Sequence, residues 1–213
     1  MAIDLVEYIA NRTPQDFLQR AIESLEAAYF HAYRDSETYE EPERRRIQGQ
    51  IRHYRQNEAL RQSAENVGMV WVAAETDPKG ERYPLVSSKG VIYGRIGVNF
   101  TDRTPRFAKH RRAIAALNSR LEPINFDLFH PPVERPADGL GVLLVTVNPH
   151  PRASQEKPAG IRVGVPYSNC KGWHLFESVE SVMAAYAPAV EIEVPDLALV
   201  QLKKKLKSSE WKS

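Results

Sequence analysis

A single cysteine, Cys170, in 213 residues excludes an intramolecular disulfide and any zinc site built from several cysteines. No apolar run approaches the ~20 residues that a membrane-spanning helix needs. The N-terminal stretch MAIDLVEYIANR has neither the basic start nor the long apolar run of a secretory leader. A cytoplasmic protein without a membrane partner is the expectation. There is no G-x-x-x-x-G-K-[ST] loop and no G-x-G-x-x-G after a strand pattern, which argues against an NTPase or a dinucleotide enzyme. HExxH, CxxC and G-x-S-x-G are absent too, and the six histidines are dispersed, so the sequence marks no metal ligands.

What is present suffices for a folded core. Hydrophobic residues make up 42% of the chain and charged residues 26%, which excludes wholesale disorder. The net charge of +2 conceals segregation. Residues 1–68 carry nine Lys/Arg against twelve Asp/Glu, whereas residues 69–135 carry eleven against seven. Arg103, Arg106, Lys109, Arg111 and Arg112 crowd one segment, and no acid follows Asp102 until Glu122. Lys203, Lys204, Lys205 and Lys207 form a second basic cluster. Such patches attract phosphates, although a solvated face is the commoner reason for a charge run.

Thr13-Pro14-Gln15-Asp16 reads as a helix start with Thr13 as N-cap, followed by Phe17, Leu18, Ala21, Ile22, Leu25 and Tyr29 at helical spacing. Pro42 opens a second helix that Gly68 stops, and this one is unusually polar beyond Tyr54. From Met69 the period becomes that of strands, with turns at Asp77-Pro78-Lys79-Gly80 and Lys89-Gly90 and an antiparallel meander through Val98. A helix is expected over 105–121, and Gly141–Val147 is the most apolar and hence central strand. A strand at 161–165, a helix at 175–186, an edge strand at 190–194 and a last helix at 195–206 follow. The expected class is α+β: an N-terminal antiparallel helical hairpin, then a mixed, largely antiparallel sheet flanked by helices. Residues 1–68 form the helical section, and residues 69–213 the mixed α/β domain with long loops at 122–139 and 148–159.

Two segments carry candidate chemistry. In the first, Tyr93 on a strand leads into a helix whose first turns hold Arg106 and His110, one turn apart and so neighbours on one face. Arg106 would neutralise a phosphodiester while Tyr93 or His110 handles a proton, and a carboxylate holding Mg²⁺ would complete the site. These residues distantly resemble the GIY-YIG nuclease pattern, laid onto Tyr93, Gly97, Arg106 and His110 over about a fifth of the chain. The resemblance implies a metal-dependent nuclease with a metal-binding glutamate, for which Glu122, Glu134 and Glu177 are candidates. The chain departs from the pattern at Trp71, where a first tyrosine is expected, and in the two residues between Tyr93 and Ile96-Gly97. The plainer alternative makes Tyr93 and His110 core or boundary residues.

The second segment is the loop 166–174, in which Tyr167, Asn169, Cys170 and His174 could line a small pocket. Cys170 with His174 suggests a thiol nucleophile, against the plainer reading of a buried cysteine and a turn. His130-Pro131 and His150-Pro151 sit in the two long loops and read as surface histidines.

Three functions compete. The first is binding of a DNA or RNA phosphate backbone through the basic helix 103–112, with Arg103, Lys109, Arg111 and Arg112 as contacts, and a metal-dependent nuclease as its sharper form. The second is a non-enzymatic subunit that docks on a protein partner or on its own copy through helix 42–68. The third is a small-molecule enzyme with its pocket at 166–174.

Overall fold

A computed structural model of the chain describes residues 4–76, 80–122 and 139–186. The sequence-predicted turn at residues 77–79, most of the loop 122–139, the strand 190–194, the helix 195–206 and the lysine cluster lie outside the described residues.

The architecture is α+β. Three helices come first: α1 (Leu5–Arg12), α2 (Gln15–Ser36) and α3 (Glu43–Asn66). Asp4 caps α1 by accepting from the backbone N–H groups of Val6 and Glu7. Thr13, expected to cap the next helix, makes no such bond. Pro14 occupies the cap position, and the Thr13 hydroxyl instead meets the hydroxyl of Tyr93 at 2.5 Å. A buried phenol needs a partner, and this one recruits the threonine from the helix start. Gly68, at φ 69°, ends the hairpin of α2 and α3 in the left-handed conformation that glycine tolerates best.

Six strands form one sheet in sequence order: β1 (Val70–Glu75), β2 (Arg82–Ser88), β3 (Val91–Val98), β4 (Leu140–Val147), β5 (Gly160–Pro166) and β6 (Trp173–Ser178). All neighbours are antiparallel except β3 and β4, which run parallel from Val91 beside Leu140 to Val98 beside Val147. The connection between that parallel pair carries α4 (Lys109–Ala116) and a 3₁₀ turn (Leu117–Leu121). The helix expected over 105–121 is therefore shorter, because residues 105–108 are not helical and Ala108, in extended conformation, takes the N-cap position before Lys109. The helix expected over 175–186 is corrected in the same way. Residues through Ser178 pair with β5, and only α5 (Val179–Met183) is helical. Pairing with β5 overrides the weak helical pattern there.

β4 is buried at every position, as its apolar run requires of an interior strand. The sheet separates two cores. Tyr93, Val142, Leu144 and Val163 pack with Phe17, Leu25 and Leu60 against α1, α2, α3 and α5. Ile96, Leu143 and Val145 pack with Ile114 of α4 on the other face. α4 lies directly on the sheet because β4 has glycine at 141, where a Cβ would come within 2.1 Å of the Ile114 carbonyl oxygen. Asn118, fully buried, locks this layer. Its amide donates to the carbonyls of Gly141 and Pro166, both at 2.9 Å, and its Oδ1 accepts from the Gly141 N–H at 2.7 Å. Among the described residues no helix is long and apolar enough to cross a membrane.

Candidate anion-binding cleft

β2 pairs with β1 along its whole length but with β3 only from Val86 to Ser88, opposite Tyr93 to Val91. The two strands part at Leu85, next to Pro84, which has no N–H to donate. Beyond Tyr93, β3 therefore presents its edge to a wedge-shaped opening. α3 walls the opening on one side, α4 on the other, and Tyr83 and Pro84 of β2 stand at its back. The cleft encloses about 280 Å³.

Its lining is cationic. Arg52 comes from α3, Arg95 from β3, Arg111 from α4 and Arg106 from the segment before α4, joined by His53 and His110. No carboxylate is among the lining residues described. The nearest acid is Glu81 at the rim, 3.5 Å from Nε2 of His53.

Neutral acceptors hold these cations. Arg95 donates from Nε to Asn57 Oδ1 at 2.6 Å, from Nη1 to Gln56 Oε1 at 2.8 Å, and from Nη2 to the His53 carbonyl at 2.8 Å. Nη2 also reaches Nδ1 of His53 at 2.7 Å, which fixes that ring nitrogen as an acceptor and His53 as neutral. Gln56 passes the network on by donating to Thr146 of β4 at 3.2 Å. Arg52 lies 3.7 Å above the Tyr29 ring and donates to Asn148 Oδ1 at 2.9 Å, leaving its buried Nε and Nη2 without a hydrogen-bond partner. Arg111 donates to the carbonyl of Arg106 and, at 3.2 Å, to Nε2 of His110.

Positive charge in a confined site disfavours further protonation. Burial and then Arg111 push the Arg95 guanidinium down to about 9, so it is still charged at neutral pH. Burial, then Arg111, His53 and Arg95, push the His110 imidazole down to about 4 against the opposing pull of Glu81. Burial and Arg95 lower His53 as well. Four guanidiniums and two imidazoles held neutral describe a cavity suited to an anion.

The residues singled out in the sequence divide between places. Arg106, His110 and Arg111 meet in the cleft, although Arg106 precedes α4 and is not one helical turn from His110. Tyr93 does not reach it. That side chain lies on the same face of β3 as Arg95 but is fully buried in the helical core, edge-on to Phe17 and bonded to Thr13, and burial raises its phenol well above the ordinary range. Arg103 sits before the cleft, with its carbonyl accepting from the Trp173 indole at 2.8 Å. Lys109 and Arg112 are exposed on α4 outside the lining. Gly97 is part of the floor.

The loop 166–174 links two strands, β5 and β6, rather than a strand and a helix. Asn169 caps its turn by accepting from the Lys171 N–H at 2.8 Å, and Cys170, buried at φ 57°, has its thiol pushed up by burial against Arg111 and Arg112. His174 lies 3.7 Å from Glu122 and edge-on to Tyr167. Glu122 in turn accepts from the N–H and hydroxyl of Ser168 at 2.6 and 2.7 Å, so this candidate metal ligand ties the loop together. Glu177 is exposed on β6, and Glu134 lies outside the described residues. Among the described residues no three His, Cys, Asp or Glu side chains group as a cation site. The cleft also offers a divalent cation four positive neighbours, so its residues do not fit Mg²⁺.

Arg52, His53 and Arg95 were not singled out in the sequence. A signal existed in VIYGRIGV, where a lone arginine interrupts an apolar strand, and in the arginine-rich polar helix that precedes the sheet. The chain matches no protein-family model, no curated protein and no solved structure.

Proposed function

We propose that the protein binds the phosphate backbone of a nucleic-acid strand in the cleft between α3 and α4. One observation carries this reading: four guanidiniums converge on a pocket whose described lining holds no carboxylate. A buried cation without a counter-ion is costly, and a bound phosphate would relieve that cost. A second groove continues from the cleft through the shared residues Gly49, Arg52 and Asn148 to Arg44 and Arg45 at the start of α3. Arg45 pairs there with Glu41 at 3.2 Å, so this track is milder than the cleft.

The reading moves the contact surface away from the outer face of the basic segment. Arg106 and Arg111 contribute from that segment, whereas Lys109 and Arg112 project elsewhere. It also gives the polar helix 42–68 a role as a cleft wall. The proposal is one of binding and includes no hydrolytic step. Anisotropy titration of a labelled single-stranded oligonucleotide across a salt series tests it. Affinity is expected to fall steeply with salt and to fall further in Arg106→Gln. Absence of binding at low salt, or binding indifferent to salt, would overturn it.

A further inference from the structure

The cleft is electrostatically one-sided. At its back the rings of Tyr83 and His110 lie against each other, tilted by 33°, with centroids 4.2 Å apart. These two residues line the arginine cleft and also a separate hollow beyond it. That hollow contains Glu75 and Glu81 against a single cation, Lys109, and none of the cleft arginines. Glu75 is joined there by Arg82 at 3.4 Å, and Glu81 faces His53. On the opposite side the cleft opens into the groove of Arg44 and Arg45. A polyanion approaching along that groove meets an excess of arginines over the one carboxylate, Glu41, as far as the ring pair, and two carboxylates against Lys109 past it.

A phosphodiester within a strand must continue in both directions. Here one continuation would have to pass the Tyr83–His110 pair and run against Glu75 and Glu81. A phosphate at the end of a strand has no second continuation. It also matches the cations better, because a monoester carries about −1.5 to −2 charge at neutral pH and three terminal acceptor oxygens, against a single charge on a diester. The enclosed space of about 280 Å³ lies at the small end of ligand pockets. That size suits a phosphate with its first sugar better than a threaded chain.

We infer that the cleft is a receptor for a terminal phosphate monoester of a nucleic-acid strand, with Arg106 and Arg111 gripping the end group above Arg95. This inference rests on the proposed nucleic-acid reading and specifies which part of the strand enters. Arg106 is exposed and precedes α4, so replacing it leaves the core untouched.

The test compares three ten-nucleotide single strands of one sequence, bearing a 5′-phosphate, a 3′-phosphate or two hydroxyl ends, titrated with the full chain by anisotropy. The label is placed on the end away from the phosphate, and inorganic phosphate serves as competitor. One phosphorylated strand is expected to bind about tenfold or more tightly than the hydroxyl strand. Arg106→Gln should weaken the phosphorylated strand more than the hydroxyl strand and so erase most of that preference, and inorganic phosphate should compete with the preference selectively. Equal affinity for all three strands would overturn the end-recognition inference while leaving backbone binding standing. Failure of every strand to bind at low salt would overturn both. Protection of the chain by inorganic phosphate without binding of any strand would assign the cleft to small phosphate esters, and that outcome also overturns the inference.

Discussion

Nη2 of Arg95 donates to Nδ1 of His53 at 2.7 Å, joining the middle of β3 to the inner face of α3 by a bond that requires the imidazole to be neutral. Protonating His53 would remove this acceptor and place a second positive charge beside Arg95 and Arg111. The cleft is therefore built to admit an anion and to resist a proton while it is empty.

The fold should weaken on acidification. His110 has an ordinary value of 6.5 and is held at about 4 in the folded chain, so the unfolded chain binds the proton first. Its contribution to stability is complete above about pH 6.5 and is lost as pH falls through that value towards about 4. His53 is lowered in the same direction and adds to the effect. Urea denaturation at pH 7 and pH 5 checks this, with a lower midpoint expected at pH 5. Saturating phosphate should raise both histidine values, read by NMR of the imidazole nitrogens. Unchanged histidine titration in the presence of a bound anion would contradict the placement of the ligand.

Arg95→Met should destabilise the fold by about 1–3 kcal/mol, since it leaves Asn57, Gln56 and His53 without their common donor. It should also move His110 back towards its ordinary value, because a neighbouring positive charge is gone. Thermal unfolding and an NMR pH titration read the two effects separately. A loss of stability with no movement of His110 would mean that the Arg95 charge does not reach that ring.

Tyr93→Phe separates the buried tyrosine from the cleft. Loss of the hydroxyl pair with Thr13 is expected to cost about 0.5–1.5 kcal/mol of stability. Oligonucleotide affinity should stay unchanged at a temperature where the variant is folded. A loss of binding in the folded variant would show that the buried contact of Tyr93 is coupled to the cleft.

Asn118→Ala strands the Gly141 N–H and the carbonyls of Gly141 and Pro166 in the core, and should cost about 1–3 kcal/mol for each group left unsatisfied. Gly141→Ala drives a methyl into the Ile114 carbonyl and should cost about 1–3 kcal/mol by overpacking. Denaturant midpoints for both variants provide the check. Because Ile114 belongs to α4, Gly141→Ala should also disturb Arg111 and so reduce anion affinity.

The elements that chain-local chemistry specifies were legible in the sequence. The periodicity of Phe17, Leu18, Ala21 and Leu25 marks a helix, Gly68 marks its partner's end, Lys89-Gly90 forms the hairpin turn, and the unbroken apolar run at 141–147 places β4 inside the sheet. Strand alternation even determines that Tyr93 and Arg95 share one face while Gly94 and Ile96 share the other. Tertiary structure decided what those faces meet. Tyr93 is capped by Thr13, drawn from a helix start eighty residues away in the chain, so neither keeps the role its neighbours suggest. Arg95 meets α3 because β2 and β3 separate after Tyr93, and no local pattern encodes that parting. Arg106, His110 and Arg111 were visible as a basic run, but a run does not show which of its members turn inward. Their convergence with Arg52 and His53 arises only when α3 and α4 settle on opposite faces of one strand, since charge is local to a residue and a cleft is not.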